Sequence, residues 1–205
     1  MIRSSKQSLA LMAFSLFVGL ASILAADVTP PKLGDWVPEA EVRDDEDVAR
    51  SLAALIRQKP TVLIFYRGGW CPYCSRHLAA VAEAQSDLLA LGFQIIALSP
   101  DRPGRLRARP TQQEIRYLLL SDSKAHAMRA FGIAFKVEND LVAKYKDDYG
   151  IDLEGDSGET HHLLPHPAVF VVDAKGTVRF AHVNPDYKNR LGPDEILAAA
   201  REALY

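Results

Sequence analysis

Two cysteines, Cys71 and Cys74, are the residues whose type and spacing most directly indicate chemistry, and the chain has no others. They form a Cys-Pro-Tyr-Cys motif four residues after the apolar run TVLIFY (61–66), which predicts a buried strand, and at the start of a predicted long helix. The free N–H groups and the dipole at a helix N-terminus stabilise a thiolate, so we expect a lowered pKa for Cys71. The sequence therefore predicts a redox-active pair in which Cys71 attacks and Cys74 resolves the intermediate.

Three other interpretations of the cysteine pair are less favoured. As a structural disulfide it would close so short a loop that it would contribute only about 2 kcal/mol of stability. As half of a zinc site it would supply two of the four ligands that structural zinc needs. His161, His162 and His166 could add nitrogens, but no second cysteine pair follows, so we predict no metal and no cofactor. Two inert buried cysteines are the third alternative, and the motif's place in a strand–helix unit favours redox chemistry over it.

The N-terminus has the layout of a cleaved secretory signal peptide. Basic Arg3 and Lys6 precede a twelve-residue apolar core, Leu9–Leu20, and the small residues that follow suit cleavage after Ala26. A membrane anchor is the alternative, and it is the only way in which we expect this chain to contact a membrane. We therefore expect a signal peptide over 1–26, one domain over 27–205, and an exported protein of the periplasm, where thiols meet an oxidising environment.

Size and composition indicate one soluble domain. The chain has 205 residues, of which 48% are apolar and 24% charged, which is ordinary for a globular protein. The formal net charge is −2, so the basic excess typical of nucleic-acid binders is absent and we expect no nucleic-acid partner.

The elements that must position the cysteines alternate between strands and helices. The apolar patterns predict strands at 61–66, 93–98, 117–120, 168–172 and 177–183, and helices at 45–57, 74–91, 122–131, 138–149 and from Pro193 onward. The acidic run 152–160 predicts a solvated insertion. Strand–helix–strand units followed by a hairpin and a helix predict an α/β sandwich with a mixed central sheet and helices on both faces.

Several stretches together resemble a known family. They are FYRGGWCPYC (65–74), IIALSPD (95–101), LLLSDSKAHAMRAFGI (118–133) and LPHPAVFVVDAKGTVRFAHVNPDYKNRL (164–191). The motif in its context resembles the thioredoxin fold, and the order of the stretches resembles the peroxiredoxin-like branch of the alkyl hydroperoxide reductase/thiol-specific antioxidant (AhpC/TSA) family. The resemblance implies a thioredoxin-like sandwich with thiol chemistry at Cys71 and Cys74.

The resemblance also suggests roles for residues beside the pair. Pro167 would be a cis-proline that helps to hold a substrate chain against Cys71, with an ordinary proline at a strand start as the alternative. Trp70 would shape the partner surface, or simply cover the end of the sheet. Arg67 is the nearest charge before the motif in sequence, so it would favour the Cys71 thiolate, or else be a solvated loop arginine.

This chain departs from the family pattern at positions that matter for peroxide chemistry. The family's peroxidatic motif has proline and a hydroxyl residue seven and three positions before the cysteine, where this chain has Ile64 and Gly68. The family's arginine falls on Pro167. Thioredoxins also carry a buried aspartate six positions before the first cysteine; here that residue is Phe65, so a proton acceptor for Cys74 must come from elsewhere.

These departures favour disulfide exchange over peroxide reduction. We therefore expect an exported thiol–disulfide oxidoreductase that takes a disulfide substrate and is reset by a separate thiol reductant. A thiol-dependent peroxidase with Cys71 as the peroxidatic cysteine is the first alternative. The second is a copper(I) chaperone that uses the two thiolates and His166 as ligands.

Overall fold

The computed structural model describes residues 29–107 and 116–205. The predicted signal peptide at 1–26 lies outside this range. Within it, none of the helices combines the length and apolar character needed to cross a membrane.

The described residues form nine strands and seven helices. The strands are β1 (Glu41–Arg43), β2 (Ala49–Ser51), β3 (Thr61–Phe65), β4 (Gln94–Ser99), β5 (Leu118–Ser121), β6 (Ala134–Lys136), β7 (Leu163–Pro165), β8 (Ala168–Val172) and β9 (Val178–Val183). The helices are α1 (Leu52–Ile56), α2 (Pro72–Ala90), α3 (Pro103–Arg107), α4 (His126–Ala130), α5 (Asn139–Tyr149), α6 (Leu153–Ser157) and α7 (Pro193–Glu202).

The central sheet has seven strands in the order β2-β1-β5-β4-β3-β8-β9. Strand β4 runs parallel to its neighbours β3 and β5, whereas β8 is antiparallel to both β3 and β9. Strands β6 and β7 form a separate two-stranded ladder. The predicted mixed sheet is confirmed, and β3, whose end leads to the cysteines, is an interior strand between β4 and β8.

Strand β3 is buried on both faces because its residues alternate between two cores. Leu63 and Phe65 contribute to one cluster, in which the Phe65 ring lies 5.0 Å from that of Phe131 between centroids. Val62 and Ile64 contribute to the other, which packs against α2 and α7. All five residues of the strand are buried, as expected for a continuous apolar run covered on both sides.

The helix predicted at 45–57 is wrong in its first half. The Asp44 carboxylate accepts hydrogen bonds from the amides of Glu46 and Val48, and Asp47 adopts a positive φ of 65°. This local turn joins β1 to β2, so only the five residues of α1 are helical, starting where the Ser51 hydroxyl accepts the Ala54 amide.

Two other elements differ from expectation. The helix predicted at 122–131 begins four residues later, because the Asp122 carboxylate accepts the amides of Ala127 and Met128 and so caps α4 from outside it. The insertion predicted at 152–160 contains the short helix α6, in which Leu153 is buried. The helix predicted at 138–149 is confirmed as α5.

The cis-proline predicted at Pro167 is wrong, since every peptide bond in the described residues is trans. Pairing of β7 with β6 and a hydrogen bond from the His166 amide to Ile133 keep the chain extended up to Pro167. A residue before proline prefers this extended conformation. Pro167 is also buried, and its carbonyl accepts the Asn184 amide, which removes the basis on which it was expected to hold a substrate chain.

Candidate active site

Cys71 lies at the junction between the central strand and the longest helix. Strand β3 ends at Phe65, a five-residue loop follows, and Cys71 is the N-cap of α2 with extended backbone angles, φ −86° and ψ 112°. Pro72 occupies the first turn, where a missing N–H leaves no bond unmade. The placement of the pair at a helix N-terminus is confirmed.

The loop before Cys71 requires glycine at position 68. Gly68 has a φ of +141°, and a Cβ there would overlap the indole of Trp70. The next amide, of Gly69, donates to the carboxylate of Asp101 at 2.8 Å, which fixes the loop to the end of β4. The hydroxyl residue that the family carries at this position is therefore excluded by the geometry of the loop.

The two thiols are held in different protonation states. Both are buried and free, with 1% of Cys71 and 0% of Cys74 exposed. The pKa of Cys71 is lowered to about 6, first by a hydrogen bond donated by the Cys74 thiol and, to a smaller extent, by the Cys74 amide and the charges of Arg67 and Arg190, against the opposing effect of burial. Burial, and then the negative charge on Cys71, raise the pKa of Cys74 well above its ordinary value. The site therefore favours a thiolate at Cys71 and a protonated thiol at Cys74.

We expect the Cys71 thiol to titrate near pH 6 in the reduced protein, so its reactivity should fall as the pH drops below that value. Replacing Cys74 with alanine should move this midpoint upward, because the hydrogen bond that lowers the pKa most is lost. Thiolate absorbance against pH measures both midpoints. A wild-type midpoint at or above about 8.5, the value for free cysteine, would contradict the prediction.

Arg67 is buried beside the pair, so its alternative interpretation as a solvated loop arginine is wrong. Only 4% of it is exposed, and its guanidinium lies 5.0 Å from the Trp70 ring and 4.3 Å from the Tyr187 ring. It also donates a 2.6 Å hydrogen bond to the Tyr145 hydroxyl. Aromatic faces attract cations, which offsets part of the cost of burying this charge.

Arg190 is a site residue that the sequence analysis missed. It lies in the loop between β9 and α7, where its Nη2 donates to Cys74 Sγ at 3.2 Å and its Nε to the Tyr187 carbonyl at 2.8 Å. Loop residues follow no periodic pattern, so only the fold brings this arginine to the cysteines. The position where the family's arginine was sought, Pro167, carries no charge, but Arg190 supplies one from another segment.

Of the other residues considered from the sequence, Trp70 lies near the cysteines and the three histidines contact other groups. Trp70 lies beside the pair as expected, with its ring 5.9 Å from that of Tyr145. The imidazoles considered as ligands face other groups: His161 contacts the Ser123 carbonyl, His162 contacts Glu154, and His166 stacks on Phe135. In the ranges that the structure describes, no cluster of histidine, cysteine and carboxylate side chains could hold a metal ion.

Comparisons with known proteins agree with this geometry. The model of the AhpC/TSA family matches residues 33–181. Peroxiredoxin Bcp of Escherichia coli strain K12 is 23% identical over 175 residues, which cover 85% of this chain and 99% of that protein. A putative peroxiredoxin bcp of Haemophilus influenzae is 26% identical over 106 residues, 52% of this chain and 68% of its own length.

Solved structures share the fold. Peroxidoxin BcpB from Mycobacterium tuberculosis superposes with a TM-score of 0.62 at 20% identity, covering 83% of this chain and 97% of that one. Reduced Prx3 from Vibrio vulnificus in complex with hydrogen peroxide superposes with a TM-score of 0.66 at 21% identity, covering 82% and 97%. With its thiol pair at the start of α2, the chain belongs to the AhpC/TSA family and is a peroxiredoxin-like protein with a thioredoxin-like fold.

Proposed function

We propose that this protein is a thiol-dependent peroxidase in which Cys71 is the peroxidatic cysteine. The observation that carries the proposal is the electrostatic setting of Cys71, whose pKa is lowered to about 6 with two guanidiniums acting on it. The sequence favoured disulfide exchange because Ile64, Gly68 and Pro167 stand where the family has proline, a hydroxyl residue and arginine. Arg67 and Arg190 remove the last of these objections, since both bring positive charge to the thiol.

The cycle has three balanced steps. The Cys71 thiolate attacks one peroxide oxygen, the O–O bond breaks, and Cys71 sulfenic acid forms as the other oxygen leaves as an alkoxide or hydroxide that takes a proton. Positive charge nearby stabilises that leaving oxygen as its charge develops. The Cys74 thiol then attacks the sulfenic sulfur and releases water, leaving a disulfide, which two external thiol equivalents reduce.

The names of similar proteins support peroxide as the substrate class. The relatives described above are peroxiredoxins by name, and the Vibrio vulnificus protein was solved with hydrogen peroxide. The partners of this chain would then be a peroxide and a separate thiol reductant. The signal peptide predicted at 1–26 would place the cycle in the periplasm.

Thiol–disulfide exchange is the second candidate function. It is favoured by the short Cys-Pro-Tyr-Cys spacing at a helix N-terminus, with Pro72 exposed between the thiols, because such pairs close a disulfide with little rearrangement. It would use the same nucleophile, Cys71, on a sulfur instead of an oxygen.

The two candidates predict opposite substrate preferences. We expect reduced protein to react with hydrogen peroxide about a hundredfold faster than a free thiolate does, because charges that stabilise the leaving oxygen are present. A larger enhancement is not expected, since Gly68 cannot supply the family's hydroxyl donor. Stopped-flow measurement would compare second-order rate constants for hydrogen peroxide and glutathione disulfide. Faster reaction with the disulfide, and peroxide no faster than with free cysteine, would make exchange the function.

A further inference from the structure

A small cavity lies beside Arg190, between α2, β9 and the loop that precedes α7. His77 of α2, Pro167 before β8, His182 of β9 and the loop residues Arg190 and Leu191 line it. Its volume is ≈ 10 Å³, which is about the space that a single water molecule occupies.

Three buried polar atoms of the residues that line this cavity have no hydrogen-bond partner among the described protein groups. They are His77 Nδ1, His182 Nε2 and Arg190 Nη1. A buried polar atom without a partner costs about 1–3 kcal/mol, so three such atoms on residues that line one cavity call for a further hydrogen-bond partner. A polar, water-sized cavity with two or more partners is the setting in which buried water is bound.

The hydrogen bonding of His77 shows whether its Nδ1 can donate or accept a hydrogen bond. Its Nε2 lies 3.0 Å from the Leu191 carbonyl, which can only accept, so Nε2 carries the proton. Burial lowers the pKa of His77 to about 4, and the ring is therefore neutral at ordinary pH. Its Nδ1 is then a bare acceptor, whereas Arg190 Nη1 is a donor, and a single water can satisfy both.

Arg190 joins this cavity to the resolving thiol. Its Nη1 is one of the three polar atoms without a partner, whereas its Nη2 donates to Cys74 Sγ at 3.2 Å. A hydrogen bond donated by Nη1 would therefore help to hold Nη2 where it can stabilise the Cys74 thiolate.

We propose that the cavity binds one water molecule, held by His77, His182 and Arg190, and that His77 through this water positions Arg190 for the resolving step. The inference rests on the proposed cycle only in that Cys74 resolves an intermediate on Cys71, and it holds for either candidate substrate. His77 is then a positioning residue that acts through the water and Arg190, without touching the reacting sulfurs.

The test isolates the resolving step and uses no peroxide. Ellman's reagent places thionitrobenzoate on Cys71 and releases one thiolate. Cys74 then attacks the Cys71 sulfur of this mixed disulfide, which forms the Cys71–Cys74 disulfide, expels the second thionitrobenzoate and releases the Cys74 proton to the buffer. The two releases are separate coloured phases, and a second-phase pH profile reports the ionisation of Cys74.

Two substitutions separate the water site from a purely structural role. His77→Gln places an amide near the Nε2 position and so keeps the bond to Leu191, but removes the acceptor from the cavity. His77→Asn places a polar atom near the Nδ1 position and gives up the Leu191 bond. We expect His77→Gln to slow the second phase about tenfold and to shift its pH profile upward, because one bond to a charged group is lost. The first phase should change much less, because Arg190 is the smallest of the causes that act on the pKa of Cys71.

The opposite pattern would overturn the inference. If His77→Gln releases the second equivalent at the wild-type rate and His77→Asn does not, His77 only anchors the loop. A high-resolution crystal structure gives a result that is independent of the variants: ordered density between the three nitrogens supports the inference, and a direct contact between His77 and Arg190 that closes the cavity refutes it. A failure of the peroxidase proposal would appear instead in the peroxide rate constant, which this test does not use.

Discussion

Replacing Cys71 with serine should lower the rate of peroxide reduction by at least about a thousandfold, because a serine hydroxyl does not ionise at neutral pH and cannot replace the thiolate as a nucleophile. Cys74→Ser should behave differently. Serine still offers a donor to Cys71, so one peroxide should be consumed per chain and turnover should then stop for lack of a resolving thiol. The two variants thus separate the nucleophile from the resolving residue.

The measurement is peroxide consumption with and without a thiol reductant, followed by mass spectrometry of the protein. Cys74→Ser should accumulate a sulfenic acid on Cys71 that reacts with dimedone, whereas the unchanged chain should form the Cys71–Cys74 disulfide. Peroxide reduction that survives Cys71→Ser would remove Cys71 as the nucleophile. Full turnover in Cys74→Ser would show that the external reductant resolves the sulfenic acid directly.

The strand, loop and helix around Cys71 could be predicted because they depend on residues that are close in sequence. The run at 61–66 is apolar on both faces, Pro72 suits a first helical turn, and Cys71 lies between them, so neighbouring residues alone define the strand, the loop and the helix. The helix predicted at 45–57 failed for a local reason too. The side chain of Asp44 competes for backbone amides, which a pattern of apolar residues does not reveal.

The charge of Arg190 and the aromatic partner of Arg67 could not be predicted because they come from distant segments. Arg190 lies 116 residues beyond Cys74, and Tyr145, which binds Arg67, lies 78 residues beyond that arginine. Arg190 follows β9 and Tyr145 lies in α5, so both contacts form only when the chain is folded. The expectation of weak peroxide chemistry rested on Ile64, Gly68 and Pro167; the fold supplies positive charge to the cysteines from elsewhere, whereas the missing hydroxyl at Gly68 is not replaced.

Arg67→Met should reduce the rate constant for hydrogen peroxide about a hundredfold, because a cation that stabilises the developing charge is removed. It should also raise the pKa of Cys71, on which the Arg67 charge acts. Methionine fills much of the same volume and packs well against the rings of Trp70, Tyr145 and Tyr187. Since replacing a buried charge by an apolar side chain is often close to neutral for stability, the free energy of unfolding should change by less than about 2 kcal/mol.

Two further variants show whether the guanidinium itself matters. Arg67→Lys keeps the charge but loses the planar group that stacks between the rings, so an intermediate loss of about tenfold is expected. Arg76→Met removes an exposed cation that lies 4.6 Å from the Tyr73 ring on the same helix as the cysteines, and it should change the rate less than about twofold because solvent screens its charge.

Stopped-flow rate constants and urea unfolding of the four proteins decide between a local and a general effect. An equal loss in Arg76→Met would mean that overall positive potential, and not the buried arginine, activates Cys71. A wild-type rate in Arg67→Met would leave Arg190 as the cation that acts on peroxide, and the role of Arg67 would then be confined to the packing of the loop. The predicted order, from fastest to slowest, is unchanged chain with Arg76→Met, then Arg67→Lys, then Arg67→Met, because only the last two replace the buried guanidinium that acts on Cys71, and only Arg67→Met removes its charge.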